Sequence, residues 1–254
     1  MNCKIVFTRL TLLAGFFGSW QWGSTSGWLD PYFFGMPSEI FRDLWKMALD
    51  GTIFNHMLIT LEEAFAGFCL GAVGGIAVAF ALKASPFWAK VFDPIIMVLY
   101  GIPRISLAPL FILWFGLGMA SKVVFAFILV FFLLFFNTIA GLKGVDREMV
   151  DAVRVMGASR NQILRMVILP AITPWILAGL KSGLGMSLLG AIVGEYIGGN
   201  AGLGWLINYA AGVFETNRVF SALLALAILV TVLNKLLDLF ERRLLRWRPR
   251  DAMQ

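Results

Sequence analysis

The sequence predicts an all-α membrane protein that crosses the bilayer about six times, and two observations carry that prediction. Of its 254 residues, 59% are apolar and only 14% are charged, with 23 Phe, 9 Trp and a mean hydropathy of +0.83. A soluble domain has about 25% charged residues. The chain has too little charge to solvate a compact globule of this size, which excludes an ordinary soluble enzyme. The apolar residues also gather into six runs, at about 5–22, 58–82, 91–115, 123–142, 175–197 and 219–240. Each is close to the ~20 residues a helix needs to cross ~30 Å of hydrocarbon.

The first run contains Arg9 and several glycines. Only Ser24-Thr25-Ser26 follows it, a poor substitute for an Ala-x-Ala cleavage site, so an uncleaved span is expected rather than a signal peptide. A polar, turn-rich stretch at 23–55 carries Asp30-Pro31, Met36-Pro37 and an amphipathic segment over 38–49. The second run opens on Glu62 and Glu63, expected at its outer edge, and continues through Gly67, Gly71, Gly74 and Gly75, small residues that let helices pack closely. Pro103 and Pro109 fall within the third run and loosen its backbone. The Phe-rich fourth run, Phe125 to Phe136, reads as a lipid-facing or core surface. Three units follow: 1–57 with the first span, 58–240 with the remaining spans, and a basic tail over 241–254.

The net charge of +6 is a topology signal. Short basic loops stay on the cytoplasmic side. With the N-terminus inside, fourteen of the 21 basic residues fall on that side. Only Arg42, Lys46, Lys122 and Arg218 face out, while Arg104, Lys181 and Lys235 lie within spans. Both termini are then cytoplasmic. The Arg cluster 242–250 directly follows an apolar helix, where anionic lipid is the expected partner, and this removes a nucleic-acid reading. Cys3 and Cys69 read as free thiols, and a single histidine, His56, leaves no metal set.

The longest piece outside the spans, 143–172, is charged and helical in pattern. Met149, Ala152, Val153 and Met156 share one helix face. Gly157 stops that helix, and Ser159 with Gln162 has capping-box spacing for a second, which carries Ile163, Leu164, Val167 and Ile168 until Pro170 turns the chain back. Two short helices meeting at a bend, with an apolar stripe exposed, suit docking into a groove of a partner.

Asp151-Ala152-Val153, Gly157 and Val167-Ile168-Leu169-Pro170 closely resemble the EAA loop of binding-protein-dependent ABC importer permeases, with matching spacing. Asp151, Val153 and Val167 stand where that pattern has Glu, Ala and Ile, all conservative exchanges. Further resemblance, to the nitrate/sulfonate/taurine branch, runs through Asp93-Pro94, Ile102-Pro103, Ala108-Pro109-Leu110, Trp114 to Gly118, Phe136-Asn137-Thr138, Gly141, Gly194-Glu195 and Gly202-Leu203-Gly204.

The resemblance implies a type I ABC importer fold in a bacterial inner membrane and a permease homodimer. It also implies a cytoplasmic ABC ATPase dimer and an external solute-binding protein as partners. Asp151, Ala152, Val153, Gly157, Ala158, Leu169 and Pro170 would carry the ATPase coupling. No Gly-x-x-x-x-Gly-Lys-Ser/Thr run occurs, so ATP would be bound by the partner and the chain needs no cofactor of its own. The segments 23–55 and 199–217 would receive the binding protein. The solute would be sulfonate-, nitrate- or taurine-like, or a small heteroaromatic vitamin precursor.

Polar residues inside a bilayer are candidates for the translocation path by default. They are Arg104, Asn137, Lys181, Ser187 and Glu195, together with Pro103 and Pro109 where the backbone is loosened. An ATP-independent secondary transporter or channel is the alternative, but neither inverted repeats nor midplane acidic residues are visible, and the thirty-residue loop has no role there. A membrane-embedded enzyme lacks its constellation, since adjacent Lys181 and Ser182 point in different helix directions.

Overall fold

The computed structural model describes residues 3–244, and residues 245–254 of the expected basic tail lie outside the described residues. The described residues form helices joined by short turns, with no strand. Helices α1 (Cys3–Thr25), α2 (Pro31–Phe34) and α3 (Pro37–Leu49) lead into α4 (Thr52–Ala84), α5 (Pro86–Gly101), α6 (Ala108–Phe115) and α7 (Met119–Lys143). The loop then forms α8 (Arg147–Val155) and α9 (Arg160–Ile163), before α10 (Leu169–Gly198), α11 (Leu203–Gly212) and α12 (Thr216–Leu244).

Four segments are long and apolar enough to cross a membrane: α4, α7, the stretch Arg160–Gly212 that contains α10, and Thr216–Leu237 of α12. The third apolar run is not one straight helix. Its parts α5 and the stretch Arg104–Phe115 meet at 88°, so the pair counts as a fifth span only when taken as one broken element. Pro103 sits at this break, in front of a 3-10 turn at Arg104–Leu107, and Pro109 lies in the first turn of α6. A proline cannot supply the N–H that a continuous helix needs. The first run forms a single 23-residue helix, yet α1 is not among the segments that qualify, because Lys4, Arg9 and a polar C-terminal turn dilute it. The six apolar runs of the sequence thus give four or five qualifying spans.

Helix α7 is the centre of the bundle, with α4 running parallel to it on one side and α10 antiparallel on the other. Glycines make both contacts possible. A methyl group placed on Gly71 would lie 2.7 Å from Val130 Cβ and 2.8 Å from the Phe127 carbonyl oxygen, and Gly67 and Gly75 face Ala126 and Phe131 in the same way. Across the other face, Gly190 lies against Ala126 and Gly194 against Lys122. Lipid offers no hydrophobic drive for helix association, so close backbone approach at small residues is what holds such a pair. Gly74, by contrast, meets only ring carbons, of Phe131 at 3.4 Å and of Phe127 at 3.5 Å. The phenylalanines of α7 are partly core, with Phe125, Phe132 and Phe135 buried.

Two ends of the bundle can be distinguished. The loop end carries α8 and α9. At the far end, Met47, Ile53, Leu203, Leu206 and Ala222 form a core that joins α3, α4, α11 and α12. The segments 23–55 and 199–217, both expected on one side, meet there. Asn217 Oδ1 accepts from Met36 N–H at 2.9 Å, and Arg218 pairs with Asp43 at 3.2 Å. They enclose a cleft of about 320 Å³ lined by charges of both signs, including Glu39, Arg42, Asp43, Lys46, Glu215 and Arg218.

Candidate functional site

The loop helix α8 is built by local chemistry. Asp146 Oδ1 accepts from Glu148 N–H at 2.8 Å and caps its start. Gly157 N–H donates to Arg154 O at 3.0 Å and Ala158 N–H to Val153 O at 3.2 Å, the paired bonds of a Schellman ending. That ending needs a left-handed residue, and Gly157 takes φ +85°. The capping box then forms as its spacing predicts, with Ser159 N–H donating to Gln162 Oε1 at 2.8 Å. Asp151 lies in the middle of α8, not near its beginning, and pairs with Arg154 at 2.9 Å; the first-turn acid is Glu148. Both members of the pair are exposed, so it contributes little to stability.

The second half of the loop departs from expectation. Pro170 does not turn the chain back. Helix α9 passes through a π turn at Leu164–Ile168 directly into α10, with Pro170 in its first turn. Leu169 N–H donates to Leu164 O, so the widened turn shifts the bonding pattern ahead of the residue that has no donor. Asp151, Ala152, Val153, Gly157 and Ala158 therefore cluster on one exposed hairpin, whereas Leu169 and Pro170 belong to the first turn of the span behind it. At the tip, Val155 and Met156 are 89% and 84% exposed, an apolar pair that no described residue covers. Between α8 and the ends of α4 and α7 lies a cavity of about 870 Å³, lined by Lys83, Lys143, Arg147, Asp151 and Arg154 among others.

The residues expected along a path do not converge on one surface. Pro103 and Arg104 sit at the break after α5. The Arg104 guanidinium lies 4.5 Å from the centre of the Tyr100 ring and 5.5 Å from that of Phe132. Asn137, on the α10 side of α7, donates to its own helix at Leu133 O, 2.8 Å away. Ser187 is fully buried and donates to Leu184 O at 2.9 Å. Lys181 is exposed and borders a small apolar cavity with Phe65, Phe68 and Leu184.

Glu195 is fully buried and belongs to a polar cluster at the far end that sequence reasoning largely missed. Its Oε1 accepts from Thr60 Oγ1 at 2.6 Å and its Oε2 from Gly204 N–H at 2.6 Å. Thr60 Oγ1 in turn accepts from Leu203 N–H at 2.9 Å, and His56 Nδ1 from Gly202 N–H at 3.1 Å. Three consecutive amides at the start of α11 are thereby held by α4 and α10. Gly202 takes φ +98°, and a methyl group there would fall on the Glu195 carboxylate. The carboxyl of Glu63 and the ammonium of Lys122 face Glu195. Glu63 and Lys122 are 4% and 2% exposed, so neither lies at the surface where the sequence placed it. Lys122 donates to the carbonyls of Leu117 and Gly118. The available signal was weak: Glu63 lies a few residues inside the second apolar run, and Lys122 directly precedes the fourth.

A bundle of closely packed apolar spans, one of them broken, with an amphipathic hairpin projecting from one end, defines a membrane transport subunit. The protein family described as binding-protein-dependent transport system inner membrane component matches residues 71–247. Relatives extend over most of the chain. The riboflavin transport system permease protein RibX of Chloroflexus aurantiacus is 34% identical over 90% of this chain and 85% of its own length. A protein of Bacillus subtilis described as a putative aliphatic sulfonates transport permease, SsuC, is 34% identical over 84% and 77%. Among solved structures, an inward-facing form of the MetNI methionine ABC transporter shares the fold, with a TM-score of 0.66 at 20% identity over 80% of this chain and 99% of that one. The chain belongs to the family of binding-protein-dependent inner-membrane permeases of ABC importers.

Proposed function

We propose that this permease works as a homodimer with a cytoplasmic ABC ATPase dimer, and that α8 is the coupling helix seated on the ATPase. The observation that carries the reading is the Gly157 turn, which presents Val155 and Met156 to solvent at the tip of the hairpin. An exposed apolar tip on a rigidly capped helix fits a partner's groove. Closure of the ATPases around nucleotide would draw two such helices together, and α10, continuous with α9 through the π turn, would carry the movement into the membrane. The loop end is then cytoplasmic, with both termini on that side. ATP is held by the partner.

The charged cleft at the far end, where 23–55 and 199–217 meet, would receive the solute-binding protein. The relatives' names point to a small solute such as an aliphatic sulfonate or a vitamin-like heteroaromatic compound. Changing Gly157 to Leu forces a branched side chain into a left-handed position and tests the coupling assignment. Binding-protein-dependent uptake and its stimulation of ATP hydrolysis should both be lost. Survival of both in Gly157→Leu would overturn it.

A further inference from the structure

We propose that Arg104 is the group that receives an oxyanion, the sulfonate or carboxylate of the transported solute, at the middle of the membrane; this deepens and rests on the importer reading. Its depth follows from α7. Phe132, on which the guanidinium lies, is thirteen residues from Met119 and eleven from Lys143, about 20 Å and about 17 Å from the two ends at 1.5 Å per residue. The hydrocarbon core is ~30 Å thick, so the charge sits near its midplane, far from any lipid headgroup.

An arginine at that depth is costly unless a partner compensates it. The rings of Tyr100 and Phe132 support the guanidinium by cation–π contact, which leaves its N–H edge unused. No carboxylate forms an ion pair with it among the described residues, and its Nε is buried without a hydrogen-bond acceptor. The lysines near the loop end differ, since Lys83 and Lys143 share a cavity with Asp93.

The place is also accessible from one side. Helix α5 has no buried residue along its whole length, and the 88° break after it exposes backbone that a continuous helix would cover. Irregular backbone at membrane depth is tolerated where it lines a cavity or lies against another protein surface. A planar, permanently charged fork matches the two oxygens of a sulfonate or carboxylate, which a lysine ammonium would engage only as a point charge.

The test uses the purified permease–ATPase complex in nanodiscs and equilibrium binding of radiolabelled methanesulfonate at constant ionic strength, with acetate and riboflavin as competitors. The complex should bind methanesulfonate saturably, acetate should displace it, and riboflavin should not. Arg104→Gln should weaken binding at least tenfold, and Arg104→Lys should retain part of it, which also shows that the site folds. Absence of saturable binding in the unaltered complex, equal binding by Arg104→Gln, or displacement by riboflavin alone overturns the proposal. ATP hydrolysis by the unaltered complex is scored separately. A chain that assembles no ATP-hydrolysing complex contradicts the importer reading, while anion binding is still read on the permease itself.

Discussion

Thr60 Oγ1 lies 2.6 Å from Glu195 Oε1, a hydrogen bond between two fully buried side chains 135 residues apart. It ties α4 to α10, and through the Leu203 and Gly204 amides the same two residues hold the start of α11. Removing the hydroxyl would leave a buried acceptor and a buried amide unpaired, at about 1–3 kcal/mol. Thr60→Val, which keeps the shape, should lower the thermal midpoint of the purified protein and speed proteolysis within 199–212, whereas Thr60→Ser should restore both. An unchanged midpoint in Thr60→Val would show that the bond is not structural.

Gly202 gives a sharper test of the same cluster. An alanine there meets the Glu195 carboxylate and must also take φ +98°, while at Gly185 a methyl group has nothing within 4 Å. Left-handed backbone costs a non-glycine residue about 1–2 kcal/mol, and forced overlap typically adds about 1–3 kcal/mol. Gly202→Ala should therefore destabilise the protein far more than Gly185→Ala, measured as the difference between their thermal midpoints. Equal effects would place the strain elsewhere.

The α4–α7 seam predicts a contrast between neighbours. Gly71→Ala puts a methyl group 2.7 Å from Val130 Cβ and against backbone, so the helices must move apart. Gly74→Ala meets flexible ring carbons at 3.4 Å and should be accepted. Size-exclusion profiles and midpoints of the two variants, prepared in parallel, check this: Gly71→Ala should aggregate or melt earlier, and similar behaviour would mean that the seam is not close-packed.

The sequence made the loop legible because its signals are local. Gly157, Ser159 and Gln162 act on backbone within a few residues, and each forms the cap that its spacing predicts, while the N-cap at Asp146 was not anticipated. Composition likewise settled the helical membrane class. Pro170 misled because a π turn upstream removes the need for its missing donor, an adjustment no single residue announces. The break in the third run was signalled by Pro103 and Pro109, but their spacing did not give its 88° angle. The buried cluster of His56, Thr60, Glu63, Lys122 and Glu195 was illegible for another reason. His56, Thr60 and Glu63 share one face of α4 at i, i+4 and i+7, but their partners Lys122 and Glu195 come from distant segments, so Glu63 and Lys122 looked like surface charges at the ends of apolar runs.

The central claim, that α8 meets the ATPase, is tested most directly by photo-crosslinking from the hairpin tip in the assembled complex. A photoreactive residue in place of Met156, 84% exposed at the loop end, should crosslink to the ATPase in a manner that changes with bound nucleotide, and one in place of Trp28, 83% exposed at the far end, should not. Crosslinks from position 28 but none from position 156 would contradict both the coupling role and the orientation of the chain.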